Sequence, residues 1–316
     1  GATIAAAPAA LAQAYPTKPI RVIVPFPPGG ALDGFFRSLA QPVNESLGQQ
    51  LVIENRPGAS GIIGADACAK AAPDGYTLCT LTSDSLTYNP VLYRKLPYDA
   101  DADFTPISNF VAINTLLIGS ARAPMNNFKE MIAYAKANPG KLNWATWGSG
   151  TIPEVYLLWV KHQWGVDITG VPYKGAGNAV PAMLSGEADV SFITVGFAAA
   201  QAKSGKVKPL TIIGNKRAPQ FPNVTTLAEE GGDPGLDEWY GILGPAKLPP
   251  AIANRIRDEF AKSLALPKSK DLLAAQSLDP VGSSPAEFAA FLRQNRANAV
   301  KLFKTLGIQP TDAPGG

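Results

Sequence analysis

"VIVPFPPGGALDGF", residues Val22 to Phe35, begins as a buried strand and breaks into three prolines and two glycines before a helix takes over. A continuous run of β-branched and aliphatic residues such as "IRVIVPF" reads as a strand covered on both faces, and the prolines end it. The amphipathic stretch Leu32 to Leu47 predicts a helix. The same rhythm follows in strand "QLVIENR", helix Gly61 to Ala71 and strand "GYTLCTLT". Strands alternating with helices predict an α/β fold with a mixed, mostly parallel sheet flanked by helices.

After "FTPISNFVAINTLLIGS" the alternation restarts with helix Phe128 to Ala137, strand "LNWATW", helix Ile152 to Trp164, strand "DITGVPY", helix Gly177 to Ser185, and strands "ADVSFITV" and "VKPLTIIG". Two such units predict two lobes. The apolar, extended segments Phe104 to Ser120 and Glu238 to Lys247 flank the second unit and read as crossovers. Residues 15–119 and 237–316 are then expected to form one lobe and residues 120–236 the other. The tail carries two amphipathic helical stretches, from Pro249 and from Ser284, each opened by proline. Both are expected to cover the first sheet. No repeat of solenoid period is present.

The bulk numbers fit this picture. Of 316 residues 46% are hydrophobic and 17% charged, with 30 Gly and 29 Pro, a globular chain rich in tight turns. The net charge of +3 is small, and the basic tract Lys203, Lys206, Lys208, Lys216 and Arg217 has no interleaved aromatics, so it reads as a solvated face rather than a nucleic-acid site. No apolar run reaches the roughly 18 residues of a membrane span. The stretch "ATIAAAPAALAQAYP" ends in Ala12-Gln13-Ala14, the A-x-A pattern of a secretory cleavage site. Residues 1–14 are therefore expected to be a signal-peptide remnant, removed near Ala14 and Tyr15 in an exported protein; an Ala-rich linker is the plainer alternative. Cys68 and Cys79 stand either as a disulfide, which an oxidising compartment permits, or as two small buried thiols. One His and two Cys do not build a usual zinc site, and neither metal nor cofactor is expected.

In an open α/β sheet, ligands bind beyond the carboxyl ends of the strands. Four loops answer that description. In Pro25 to Asp33, Gly29 and Gly30 lack Cβ atoms, so Gly30, Ala31 and their neighbours are placed to aim N–H groups at an oxyanion; the same loop also reads as an ordinary turn with Asp33 serving the first helical turn. "LTSDSLTYNP" carries Thr82, Ser83, Ser85, Thr87 and Asn89, either single caps or a carboxylate-binding set. "ATWGSGTIPE" exposes backbone at Gly148 and Gly150 around Ser149 and Thr151, and Thr151 with Glu154 fits a capping box. "VPYKGAGNAV" ends a strand in Tyr173 and Lys174. Phe26, Tyr88, Trp147 and Tyr173 stand near the loop tips as pocket walls or as packing.

Catalytic patterns are absent. "WGSGT" lacks the first glycine of G-x-S-x-G, and there is no phosphate-loop, dinucleotide or H-E-x-x-H motif. His162, the only histidine, falls inside a helix beside Trp159 and Trp164 and reads as packed or exposed rather than as a base. No clustered pair of acids in the loops is visible, and no catalytic residue is expected.

At these loops the chain resembles the Bug family, the TctC-like periplasmic solute-binding receptors of tripartite tricarboxylate transporters. The resemblance rests on "YPTKPIRVIVPFPPGGALD", "ENRPGASGIIGAD", "PDGYTL", "NPVLYRKLPYD" with "DFTPIS", "WGSGT", "VPYKG" and "PNVTTLAEEG", in order and with similar spacing from Tyr15 almost to the C-terminus. It implies a type II periplasmic-binding-protein fold whose lobes close on a ligand, with the Phe26 to Asp33 and "GSGT" loops facing across the cleft. It implies a carboxylate held by N–H groups near Gly30 and Ala31 through bridging waters, with Ser83 or Ser85, Thr151 and Tyr173 contributing, and Trp147, Gly148, Ser149, Phe192 and Thr194 completing the lining. Amino-acid-binding members commonly carry an acid where this chain has Ile193, so an amino-acid ligand is not expected. Glu154 replaces a frequent histidine. Trp147 replaces a small residue and either stacks on a flat ring, worth about 0.5 to 1.5 kcal/mol, or packs within its lobe. An aromatic dicarboxylate such as terephthalate, or an aliphatic one, is the expected ligand of a monomeric receptor working with transporter membrane components. The alternatives are an enzyme acting on a carboxylate on the same scaffold and a ligand-sensing subunit of a signalling system.

Overall fold

The computed structural model describes residues 15–29, 31–148, 151–214 and 216–313. The expectations placed on residues 1–14, Gly30, Ser149 and Gly150, and on the Ala31 side chain, fall outside what it describes.

The opening stretch folds as its composition dictates. β1 (Ile20–Val24) is buried almost throughout, and α1 (Ala31–Leu47) follows the proline–glycine turn. β2 (Leu51–Asn55), α2 (Ile62–Ala69) and β3 (Thr77–Thr82) continue the alternation, with β1 parallel to both β2 and β3. α3 (Asn89–Leu92) closes a tight turn after β3, and β4 (Phe104–Ile113) leads into β5 (Thr115–Ser120). The second unit comprises α4 (Phe128–Ala137), β6 (Asn143–Thr146), α5 (Ile152–Trp164), β7 (Thr169–Pro172), α6 (Ala176–Ser185), β8 (Val190–Thr194), α7 (Val195–Lys203) and β9 (Val207–Ile212). The chain returns through β10 (Trp239–Pro245), α8 (Pro250–Ala265), α9 (Pro267–Gln276), β11 (Leu278–Pro280) and α10 (Pro285–Thr305).

Two mixed sheets result, ordered β11-β4-β10-β3-β1-β2 and β7-β6-β8-β5-β9. Parallel pairing is confined to β1 with β2 and β3 and to β6 with β7 and β8; β10 with β3 and β4, β11 with β4, and β5 with β8 and β9 are antiparallel. Both sheets are therefore mixed: β1, β2, β3 and β4 run one way in the first with β10 and β11 against them, and in the second β6, β7, β8 and β9 run one way with β5 against them. The returning strand β10 enters the middle of the first sheet from the far lobe and so runs against its neighbours. β5 belongs to the second sheet, which moves the first crossover to Asn114, ahead of the boundary expected at residues 119 and 120.

The tail differs from expectation in one respect. α8 packs its Ile256 and Phe260 into the first core beside Phe36 and Phe110. α10 opens on a capping box, in which Ser284 Oγ accepts from the Glu287 N–H and Glu287 Oε2 accepts from the Ser284 N–H. Its first half buries Phe288 and Leu292 with Trp239, whereas its second half buries Ala299, Leu302 and Phe303 in the core of the second lobe. The helix thus spans both lobes rather than covering the first sheet alone.

Cys68 of α2 and Cys79 of β3 are joined by a disulfide, with Cα atoms 6.0 Å apart and both residues fully buried. It closes a loop of separation 11, for which chain entropy gives about 3 kcal/mol. Replacing both cysteines by alanine should lower the unfolding free energy by roughly 2 to 4 kcal/mol, read as the shift of the urea midpoint against the oxidised wild type.

Candidate functional site

The turn after β1 is braced by one carboxylate. Asp33, in the first turn of α1, accepts at Oδ2 from the Gly29 N–H (2.9 Å) and from Arg37 Nε (2.9 Å), and at Oδ1 from Asn55 Nδ2 (2.9 Å). Asn55, the last residue of β2, also donates from Nδ2 to the Phe26 carbonyl (3.0 Å) and accepts from Arg37 Nη2 (3.1 Å). Burial acts to raise the Asp33 carboxyl, but the bonds from Arg37, Gly29 and Asn55 and the charge of Arg37 outweigh it and hold the group below the ordinary carboxylate range. Its oxygens are committed to the turn, so Asp33 positions the loop. Gly29 takes φ 78°, a left-handed conformation that glycine adopts freely. Phe26 is half-buried at the same turn.

Across the parallel β1–β3 pair lies the loop that follows β3. A Cβ on Gly61, at the start of α2, would meet Ser85 Oγ at 2.6 Å and Pro25 Cβ at 3.6 Å, so Ser85 sits between α2 and the proline turn. Ser83, Ser85, Thr87 and Asn89 are all buried, and Asn89 Nδ2 donates to the Ser60 carbonyl (3.0 Å). Tyr88 leaves the first lobe altogether and packs in the second core with Ile152 and Tyr156 at the start of α5. Tyr88 thereby ties the segment after β3 to the core beneath α5.

In the loop after β6, the Thr151 hydroxyl donates to the Gly148 carbonyl (2.7 Å) and does not accept from the Glu154 N–H, so the expected capping box is not formed through Thr151. Gly148 takes φ 113°. Trp147 is half-buried against the second-lobe core that holds Trp144 and Tyr156, and Tyr173 joins it on the small cluster of Ala145, Ala179 and Ala188. The Tyr173 N–H donates to the Thr146 carbonyl (3.0 Å), and its hydroxyl bonds Glu187 Oε1 (3.1 Å). Burial and the Glu187 carboxylate raise the Tyr173 hydroxyl above its usual range. Thr194 is half-buried at the start of α7.

Phe192 is not with these residues. It is fully buried and packs on Trp144 and Tyr156, with centroids 5.7 and 5.2 Å apart, as a core residue of the second lobe. Ile193 faces the opposite core with Leu116, Ile118 and Met183. Position 193 therefore gives no ground for excluding an amino-acid ligand.

Two acids escaped the sequence reading. Asp84 opens the helical turn that follows β3, and Glu238 stands two residues before Tyr240, which pairs with Thr82. Both are half-buried, and no ion pair of the described residues includes either. Burial raises the Asp84 carboxyl to about 7, and burial together with the Asp84 charge raises Glu238 to about 8. The loops do contain a clustered acid pair. It joins positions far apart in the chain, one just after β3 and one just before β10, whose charges act on each other. Among the described residues no group of three His, Cys, Asp or Glu is placed to hold a metal ion.

Residues 35–308 match the tripartite tricarboxylate transporter family receptor, TctC. The chain belongs to the TctC, or Bug, family. Protein BugT of Bordetella pertussis is 32% identical over 283 residues, covering 89% of this chain and 87% of BugT. The Rhodopseudomonas palustris protein Rpa4515, solved with adipate, superposes with a TM-score of 0.86 at 29% identity over 94% of this chain and all of that one. MatC of the same organism, solved with bound malate, gives 0.81 at 29% identity over 91% and 99% of the two chains. The family membership bears out the resemblance carried by the loop motifs.

The Asp33 brace yields a signed prediction. Its stabilisation is fully present above the unfolded carboxyl range near pH 4 and is lost as pH falls through the lowered folded value. Asp33→Asn should cost about 1 to 3 kcal/mol at pH 7, and the difference from wild type in urea denaturation should shrink toward pH 3.

Proposed function

We propose that this TctC-family protein is a periplasmic, non-enzymatic receptor that captures a small organic carboxylate between its lobes and delivers it to the membrane components of a tripartite tricarboxylate transporter. The observation that carries this reading is the braced turn at the end of β1. Its Asp33 clasp fixes the turn against the first turn of α1, whose N–H groups and dipole favour an anion. A turn held in this way pays little ordering entropy when the ligand arrives.

Ser83 or Ser85, Thr151, Gly148, Tyr173 and Thr194 are the further contacts of this reading, with water bridging the carboxylate to the turn near Gly30 and Ala31. Closure is a hinge motion about Asn114 and the segment before Trp239, and the ligand favours the closed state only as far as it touches both lobes. The half-buried face of Trp147 supports a flat ring, with terephthalate as the reference compound. The adipate and malate found with two relatives place aliphatic dicarboxylates in the same panel.

A thermal-shift screen of aliphatic and aromatic mono- and dicarboxylates tests the receptor reading, since a ligand at a hundred times its dissociation constant adds about 2.7 kcal/mol to the folded state. At least one acid should raise the melting temperature and be recovered unchanged by mass spectrometry; turnover of the acid defeats the reading. Trp147→Ala should weaken a ring-bearing acid by about three- to tenfold and an aliphatic one little, measured by calorimetry. Equal losses would place Trp147 in lobe packing.

A further inference from the structure

The chain between β3 and α3, Asp84–Tyr88, is a single π-helical turn, in which the Asn89 N–H reaches back five residues to the Asp84 carbonyl. The next residue is Pro90, which has no N–H, so the next carbonyl in the series, that of Ser85, loses the donor the turn would supply. A buried carbonyl must then find its donor elsewhere. The Tyr98 hydroxyl takes that place, donating to the Ser85 carbonyl at 2.6 Å in a buried contact. The following carbonyl, of Leu86, accepts from Arg296 Nε at 2.9 Å. Arg296 projects from α10 with its side chain only 13% exposed, and its other nitrogens reach the Ala100 carbonyl (3.4 Å) and the Asp101 carboxylate.

Ser85 itself is fully buried, and its Oγ has no hydrogen-bond partner among the described residues. A Cβ on Gly61 would stand 2.6 Å from this oxygen and 3.6 Å from Pro25 Cβ, so the hydroxyl is lodged beside the start of the braced turn. A buried hydroxyl left unpaired is costly, and one held in place is a ready donor to an oxyanion. The backbone of residue 85 sets where that hydroxyl points. Tyr98 holds this backbone by its carbonyl, and Arg296 holds it one residue further on. Both holds are anchored in turn. The Tyr98 ring packs edge-on to Phe104, the first residue of β4, at 5.6 Å. Arg296 lies on α10 between Leu292 in the core with Trp239 and Ala299 in the core of the second lobe.

We propose that Tyr98 and Arg296 are positioning residues of the receptor: by clamping the carbonyls of Ser85 and Leu86 they aim the Ser85 hydroxyl at the ligand carboxylate, without touching the ligand themselves. This rests on the receptor reading and names what makes one of its contacts a fixed donor. Preorganisation of this kind strengthens binding because the hydroxyl is not ordered afresh when the carboxylate arrives. A purely structural pair of bonds would instead lower stability and leave affinity alone.

The test is a double-mutant cycle in calorimetry with the tightest binder among terephthalate, adipate and malate. Ser85→Ala should weaken binding about tenfold, the loss of one hydrogen bond to a charged group. Tyr98→Phe keeps the ring on Phe104 and removes only the hydroxyl, and it should weaken binding by about three- to tenfold. In the Ser85→Ala background the same change should cost less than about twofold, because no hydroxyl remains to be aimed. Arg296→Met should follow the same pattern, and Tyr98→Phe carries the test if that variant does not fold, as judged by its melting temperature without ligand. Tyr15→Phe is the control. Its hydroxyl also donates to a buried carbonyl, that of Gly75 at 2.6 Å, but ahead of β3 at the other end of the strand, so it should lower the melting temperature and leave affinity unchanged. Losses that add across the cycle, or unchanged affinity in Tyr98→Phe or in Ser85→Ala, would overturn the clamp and leave the receptor standing. Binding of none of the three acids by the wild type would remove the receptor reading and the clamp with it.

Discussion

The antiparallel ladder between β4 and β10 is the constraint on which the rest of the molecule depends. Both strands run straight into or out of the second lobe, and their pairing from Phe104 with Pro245 to Ala112 with Trp239 sets the two crossovers side by side. That adjacency makes the link between the lobes a paired ladder instead of two separate tethers. It also makes β10 the partner of β3, which carries the loop after β3 to the same place. α10 approaches this ladder so closely that a Cβ on Gly241 would stand 2.4 Å from Phe288 Cζ and 3.1 Å from the Ser108 carbonyl. The glycine is required by packing, not by backbone conformation.

Around this ladder the lobes are coupled more tightly than a flexible two-strand hinge alone implies. α10 is shared between the two cores. A Cβ on Gly196 of α7 would meet the Ala275 carbonyl at the end of α9 at 2.4 Å, and Gln220 and Asn114 both donate to Ser277 just beyond it. Tyr88 adds to this coupling, since its ring belongs to the second core while its neighbours belong to the first.

The site divides into a neutral, prepared turn and an acidic floor. At the turn every oxygen of Asp33 is used, and the cost of burying its charge is offset by three donors. At the floor no salt bridge of the described residues reaches Asp84 or Glu238, and burial raises both carboxyls. The contrast matters because the two places lie on neighbouring strands. The protein keeps one carboxylate as internal structure and leaves two others uncompensated at the same end of the sheet.

The sequence by itself determined the order and kind of nearly every element, because buried strands and amphipathic helices differ in period and prolines and glycines mark their ends. It also determined the family, through the ordered loop motifs from "PFPPGG" to "VPYKG", and it singled out Asp33 and the hydroxyl-rich loop after β3. α3, α7, α9 and β11 went unread, being short and lacking a strong apolar period. Tertiary structure alone decided which way β10 runs, that β5 joins the second sheet, that Phe192 faces the core, and that Cys68 and Cys79 pair. The physical reason is common to all of these. Periodicity reports what a residue buries along its own segment, whereas register and direction are fixed by partners that the segment does not contain.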